Sequence, residues 1–203
     1  LTPYVYKCLK EDKTYALYNK TIYIILLEIV FACLFMCFLP DLFIFVLPKD
    51  YYSAIYVIPP VLVGAFFSNL YNLFGAVEFY FEENKFVTIA SFIGAVLNIL
   101  LNYIFIPIYG FIAAAYTTLF CYMAFCFCHY LFMKKVLRKN NFKEEIYNVK
   151  AIACLSVLLL FLMFVILGLY NNFTLRWFII LLICYILYIK RKSIKGFIKV
   201  LKE

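Results

Sequence analysis

Acidic charge is scarce in this chain. Its 203 residues hold 11 Asp and Glu against 19 Lys and Arg, with a single His and a single Trp. The six glycines are scattered, and none forms a Gly-rich phosphate loop. Among the eight cysteines no CxxC pair has zinc spacing, so neither a bound metal nor a disulfide framework is expected. No catalytic motif and no strong internal repeat is present. The apolar runs are continuous and do not alternate with polar residues, which excludes a β-barrel. No signal peptide is recognisable at the start.

What is there is apolar. Hydrophobic residues make up 67% and aromatic residues 22%, with a mean hydropathy of +0.97. No soluble domain of this length needs so much apolar surface. The expected fold is an all-α, polytopic membrane bundle. Crossing a bilayer takes roughly 20 residues at 1.5 Å rise each. Six runs qualify, at 21–39, 54–79, 86–106, 111–132, 151–170 and 173–189. They form one lobe over residues 21–190, between an amphipathic basic connector at 1–20 and a basic tail at 191–203. Seven of the cysteines fall within the lobe, where a thiol behaves as a small hydrophobe, and only Cys8 lies outside it.

Placing the N-terminus in the cytoplasm puts nearly every cation on one side. That side holds the connector lysines, Lys85, the cluster from Lys134 to Lys150, and the tail from Lys190 onward. Of the 19 basic residues only Lys49 and Arg176 face the other way. This asymmetry is the positive-inside pattern. It accounts for a net charge of +8 without a nucleic-acid partner, and both termini are expected inside. The connector is expected to lie on the headgroups or to serve as an ordinary loop. The 134–150 stretch is expected to be an amphipathic surface piece that favours anionic lipids.

The first span is expected to end at Pro40-Asp41, with residues 42–47 along the outer interface. Pro59 and Pro60 either bend the second span, as transporters do where a helix lines a cavity, or sit harmlessly in its first turns. The stretch from Asn84 to Thr118 organises the rest. Two apolar helices meet at the hinge Ile106-Pro107-Ile108-Tyr109-Gly110. Ser91, Ala95, Asn98 and Asn102 share one small, polar face of the first helix.

Glu28 is the main candidate site. An ionisable side chain well inside an apolar span is costly and by default functional, as a proton or cation carrier or a contact for a polar substrate. Asn69, Asn72, Asn98 and Asn102 form either a polar wall for sugar hydroxyls or hydrogen-bonded glue between helices, with glue favoured for Asn98 and Asn102. Glu78 is expected to snorkel to water at the cytoplasmic mouth, near Lys85. His129, the single histidine, is expected at the same interface. The outer loops are too short to hold the catalytic loop of a glycan polymerase, so neither enzymatic activity nor a cofactor is expected.

The order of features resembles a known family. A basic connector precedes a span ending in Pro-Asp, then Tyr51-Tyr52-Ser53-Ala54, a Pro-containing span and a charged turn ending at Lys85. The hairpin follows, with its Asn98 and Asn102, Ile106-Pro107, Gly110 and Ala113-Ala114-Ala115. This is similar to the C-terminal half of O-antigen and capsule repeat-unit flippases, in the superfamily that also holds multidrug exporters. The turn departs from the family pattern by reading Glu83-Asn84-Lys85, with one base where a basic pair is usual.

The resemblance implies a two-lobed transporter of the bacterial cytoplasmic membrane. Its cargo would be a polyprenyl-diphosphate-linked oligosaccharide. Its further partners would be membrane lipids and the missing N-terminal half of the same transporter. The chain is accordingly expected to be a fragment. A cation-coupled multidrug exporter is the alternative. A diphosphate needs cations, and with no Lys or Arg at mid-span they are expected from the other half or from Lys85.

Overall fold

A computed structural model describes residues 2–11, 13–142 and 146–202. Leu1, Asp12, Glu203 and residues 143–145, including Lys143 of the basic loop, lie outside the described residues. Helix α1 (Thr2–Lys10) leads into α2 (Thr14–Val46). A 3₁₀ segment (Lys49–Val57) precedes α3 (Ile58–Tyr80). Then come α4 (Asn84–Tyr109), α5 (Phe111–Lys139), α6 (Val149–Gly168) and α7 (Phe173–Lys202). Among the described residues, six helices are long and apolar enough to cross a membrane, and the chain is an all-α polytopic bundle.

The core is built around α3. It buries Val63, Phe66, Phe67, Leu70, Leu73, Phe74 and Val77, and touches α1, α2, α4, α5 and α6. Its closest partner is α5. Rings of α5 sit against glycines of both α3 and α4. At Gly75 a methyl would meet the His129 ring only in ordinary contact, with Nδ1 3.5 Å away. A methyl on Gly94 would overlap the Phe125 ring. Without a hydrophobic driving force between helices in lipid, such close approaches supply much of the association.

Helix α4 packs chiefly on α5 and leaves Phe92, Ile99 and Tyr103 exposed, Tyr103 at 82%. Ser91 and Ala95 are exposed as well, while Ala90 and Gly94 are buried. The face that meets α5 is therefore rotated from the one expected: Asn98 and Asn102 belong to it, but Ser91 and Ala95 do not. The hinge at Gly110 is a single residue with φ 72° and ψ −165°, a conformation open essentially to glycine alone. Its N–H donates to Ile106 O at 2.8 Å, closing the end of α4, and Pro107 lies inside the last turn.

One proline expectation changes, and one pair of alternatives is narrowed. Helix α2 does not stop at Pro40. It runs on to Val46, and the separate interfacial piece at 42–47 is its last turns. A proline inside a helix strands the carbonyl four residues back. Here that carbonyl, Met36 O, accepts from the Tyr170 hydroxyl at 3.2 Å, and Cys37 O accepts from Arg176 at 3.2 Å. Neighbouring helices can re-satisfy freed backbone groups in this way. Pro59 and Pro60 do not bend a span. They occupy the first turn of α3, where a missing N–H costs little. The expected surface piece after residue 133 also differs, because Lys134, Lys135, Arg138 and Lys139 are the last turns of α5.

Candidate functional site

Residues singled out separately in the sequence meet between α1, α2 and α3. Glu28, Asn69 and Asn72 line a cavity of about 130 Å³, closed by Thr2, Val5 and Ala76. Asn69 donates its Nδ2 to Glu28 Oε1 at 3.3 Å. Asn72 turns its amide nitrogen back to Ser68 O at 2.8 Å. Glu28 is half-buried, whereas Asn69 and Asn72 are exposed midway along α3. A polar amide at that depth does not face hydrocarbon without cost, so this notch belongs against water or protein. Thr2 on its rim brings the start of α1 beside Glu28, with Thr2 itself exposed.

Asn98 and Asn102 do not join this site. Asn102 Nδ2 donates to Asn98 Oδ1 at 3.0 Å, and Asn98 Nδ2 reaches Cys121 Sγ at 3.6 Å. Thr117 of α5 hydrogen-bonds Asn102 Oδ1. This chain lies in the α4–α5 seam and ties the hairpin together.

Glu78 and His129 overturn their expectation. Neither reaches water: their side chains are 0% and 3% exposed. Glu78 Oε1 sits 2.8 Å from His129 Nδ1, across the α3–α5 contact. The ring stacks on Tyr71, 5.5 Å away, and lies 6.4 Å from Phe125, the two aromatic rings being 5.5 Å from each other. Snorkelling fails because Glu78 points across the helix pair and not along α3 toward its end. Glu78 Oε2 is buried without a hydrogen-bond partner among the described residues. A buried polar pair of this kind fixes one register between two helices.

Two further ionic clusters sit nearer the ends. At the end carrying Gly110, Arg176 pairs with Asp41 at 2.7 Å, and Trp177 Nε1 donates to the other Asp41 oxygen at 3.1 Å. Arg176 is 3% exposed. At the opposite end, Glu83 in the α3–α4 turn pairs with Lys139 and, at 3.3 Å, with Lys85. The Lys139 ammonium, aided by Lys85, holds the Glu83 carboxyl below the usual carboxylate range. Lys85 is thus engaged at the turn and does not reach the Glu28 notch.

An apolar groove of about 670 Å³ runs along α4 and α5 near the hinge, lined by Phe105, Tyr109, Tyr116, Phe120 and their neighbours. No group of three or more metal-ligating side chains occurs among the described residues. Comparison with protein-family models, curated proteins and solved structures gives no match.

Proposed function

We propose that this bundle is one lobe of a transporter in the bacterial cytoplasmic membrane, both termini inside. Its role would be to move a polyprenyl-diphosphate-linked oligosaccharide between leaflets, the other lobe coming from an N-terminal half. The observation that carries this reading is the Glu28–Asn69–Asn72 notch. It opens at mid-span on the surface of the bundle, where a second lobe would enclose it as an alternating-access cavity. The sequence resemblance supplies the class of cargo.

The size of the notch divides the labour. At about 130 Å³ it holds a few waters, each taking about 30 Å³, or a small cation, but not a sugar. Glu28 is therefore the coupling group, charging and discharging with each cycle, and Asn69 orients its carboxylate. The sugar path lies outside the notch, and the cations that a diphosphate needs come from the other lobe. The same lone carboxylate favours a cation-coupled exporter of drugs as the second reading, and the cargo assay separates the two.

Glu28→Gln keeps the shape and removes the charge. In the full transporter, reconstituted in liposomes with a labelled polyprenyl-diphosphate glycan, transport is expected to fall about tenfold, or about 1.4 kcal/mol of barrier. Inserted protein should be unchanged. Undiminished transport would assign Glu28 to structure. No glycan transport by the wild type, together with Glu28-dependent efflux of a cationic dye, would favour the exporter.

Orientation has its own test. In a background free of the eight native cysteines, Lys49→Cys should react with an impermeant thiol reagent on intact cells, and Lys192→Cys only after lysis. The reverse order would invert the topology.

A further inference from the structure

The end of the bundle opposite Gly110 carries an arrangement that no transport step above uses. Phe86, in the first turn of α4, is buried and stacks on Phe132 of α5 with ring centroids 4.9 Å apart. Two lysines from different helices converge on it. Lys85 Nζ and Lys135 Nζ each lie 5.3 Å from the centre of the Phe86 ring. The ring attracts each ammonium weakly, and the two like charges gathered beside it repel one another.

The local anion does not balance them. Glu83 is shared between Lys139 and Lys85, and among the described residues Lys135 has no carboxylate within ion-pair distance. Lys134 and Arg138 add further positive charge on the same turns of α5, and all of these cations are exposed. Lysines clustered at the end of an apolar span belong at headgroup depth when that span crosses a bilayer.

We infer that Lys85 and Lys135, each held 5.3 Å from the centre of the Phe86 ring, form a seat for the phosphate of a membrane lipid. Each ammonium donates to phosphate oxygens in charge-assisted hydrogen bonds. Phe132, half-buried against Phe86, packs against the lipid just below its headgroup. The phosphate comes either from an anionic phospholipid or from the diphosphate of a polyprenyl lipid, which share this chemistry. The seat does not depend on the transport reading, since it requires only that α4 and α5 cross a bilayer.

The test uses the whole chain in detergent, with lipid binding followed by native mass spectrometry. Phosphatidylglycerol, phosphatidylcholine and farnesyl diphosphate are titrated separately. Phosphatidylglycerol is expected to bind well above phosphatidylcholine, and added salt should weaken it. Lys85→Gln with Lys135→Gln should weaken phosphatidylglycerol about thirtyfold, as two basic residues near a membrane surface do together. Lys192→Gln, on the exposed part of α7, should change it little, and Lys135→Arg should preserve it. Farnesyl diphosphate binding tighter than phosphatidylglycerol, with the same dependence on Lys85 and Lys135, would identify the diphosphate as the source. Equal binding would identify anionic headgroups in general. Unchanged phosphatidylglycerol binding by the double glutamine variant, or equal binding of phosphatidylcholine by the wild type, would overturn the proposal. Both lysines are solvent-facing, and Trp177 fluorescence confirms that each variant is folded.

Discussion

His129→Phe is expected to destabilise the bundle by roughly 3 kcal/mol, the upper cost of leaving a buried polar group without its hydrogen-bond partner. The substitution keeps a ring in place. Phenylalanine can still stack on Tyr71 and Phe125 and fill the space beside Gly75. What it removes is the Nδ1 that faces Glu78 Oε1 at 2.8 Å, leaving a carboxyl that is 0% exposed with neither oxygen satisfied. Adding Glu78→Leu should bring stability back to within about 1 kcal/mol of the original protein, because well-packed apolar residues replace buried pairs at little or no cost. Unfolding in mixed micelles at rising SDS fraction, read by the single Trp, measures both. If His129→Phe alone leaves the transition in place, the pair contributes nothing. If the double variant is no better than the single one, the loss comes from packing.

Arg176→Met comes second, with an expected loss of roughly 3 kcal/mol, the low end for a broken buried pair. Arg176 does two things at once: one arm of its guanidinium holds Asp41 and the other caps Cys37 O. Losing it strands a carboxylate beside Pro40 and reopens a carbonyl in the last third of α2. The loss stays at the low end because Asp41 is 19% exposed and keeps its bond from Trp177. Arg176→Lys should recover little, since a single ammonium cannot span both acceptors in the fixed geometry of a guanidinium. The environment of Trp177 changes with this site, so its emission should shift even where the bundle remains folded. An unshifted spectrum with full stability would remove the cluster from the account of how α7 is held.

The helical class and the six spans were legible because apolar runs of the right length have few other solutions. Glu28, Asn69 and Asn72 were legible as polar residues at mid-span, though their meeting in one notch depends on how α2 and α3 are rotated. The end of α2 was misread. A proline reads locally as a stop, but at Pro40 the missing donor is replaced by the Tyr170 hydroxyl on Met36 O, 134 residues away. At Pro59 and Pro60 the sequence left a bend and a first-turn position open, and the helix start at Ile58 gives the first-turn position.

The Glu78–His129 pair was missed because each residue looked interfacial by its distance from a charged turn. One signal was available. Glu78 lies seven residues before Lys85 and His129 six before Lys135, so two polar residues sit at one depth on neighbouring helices. Gly75, nearly one turn before Glu78, leaves room for a ring from across the seam.

The pair also sets a schedule for synthesis. Its partners stand 51 residues apart in the chain, with all of α4 between them. At translation rates of about 5–20 residues per second, α3 enters the membrane roughly 3–10 s before His129 exists. During that interval Glu78 has no partner in lipid, and α3 alone gains little by leaving the insertion machinery. The single residue joining α4 to α5 then delivers both helices almost together. Helices α3, α4 and α5 are therefore expected to leave the insertion machinery together, once the histidine has been made.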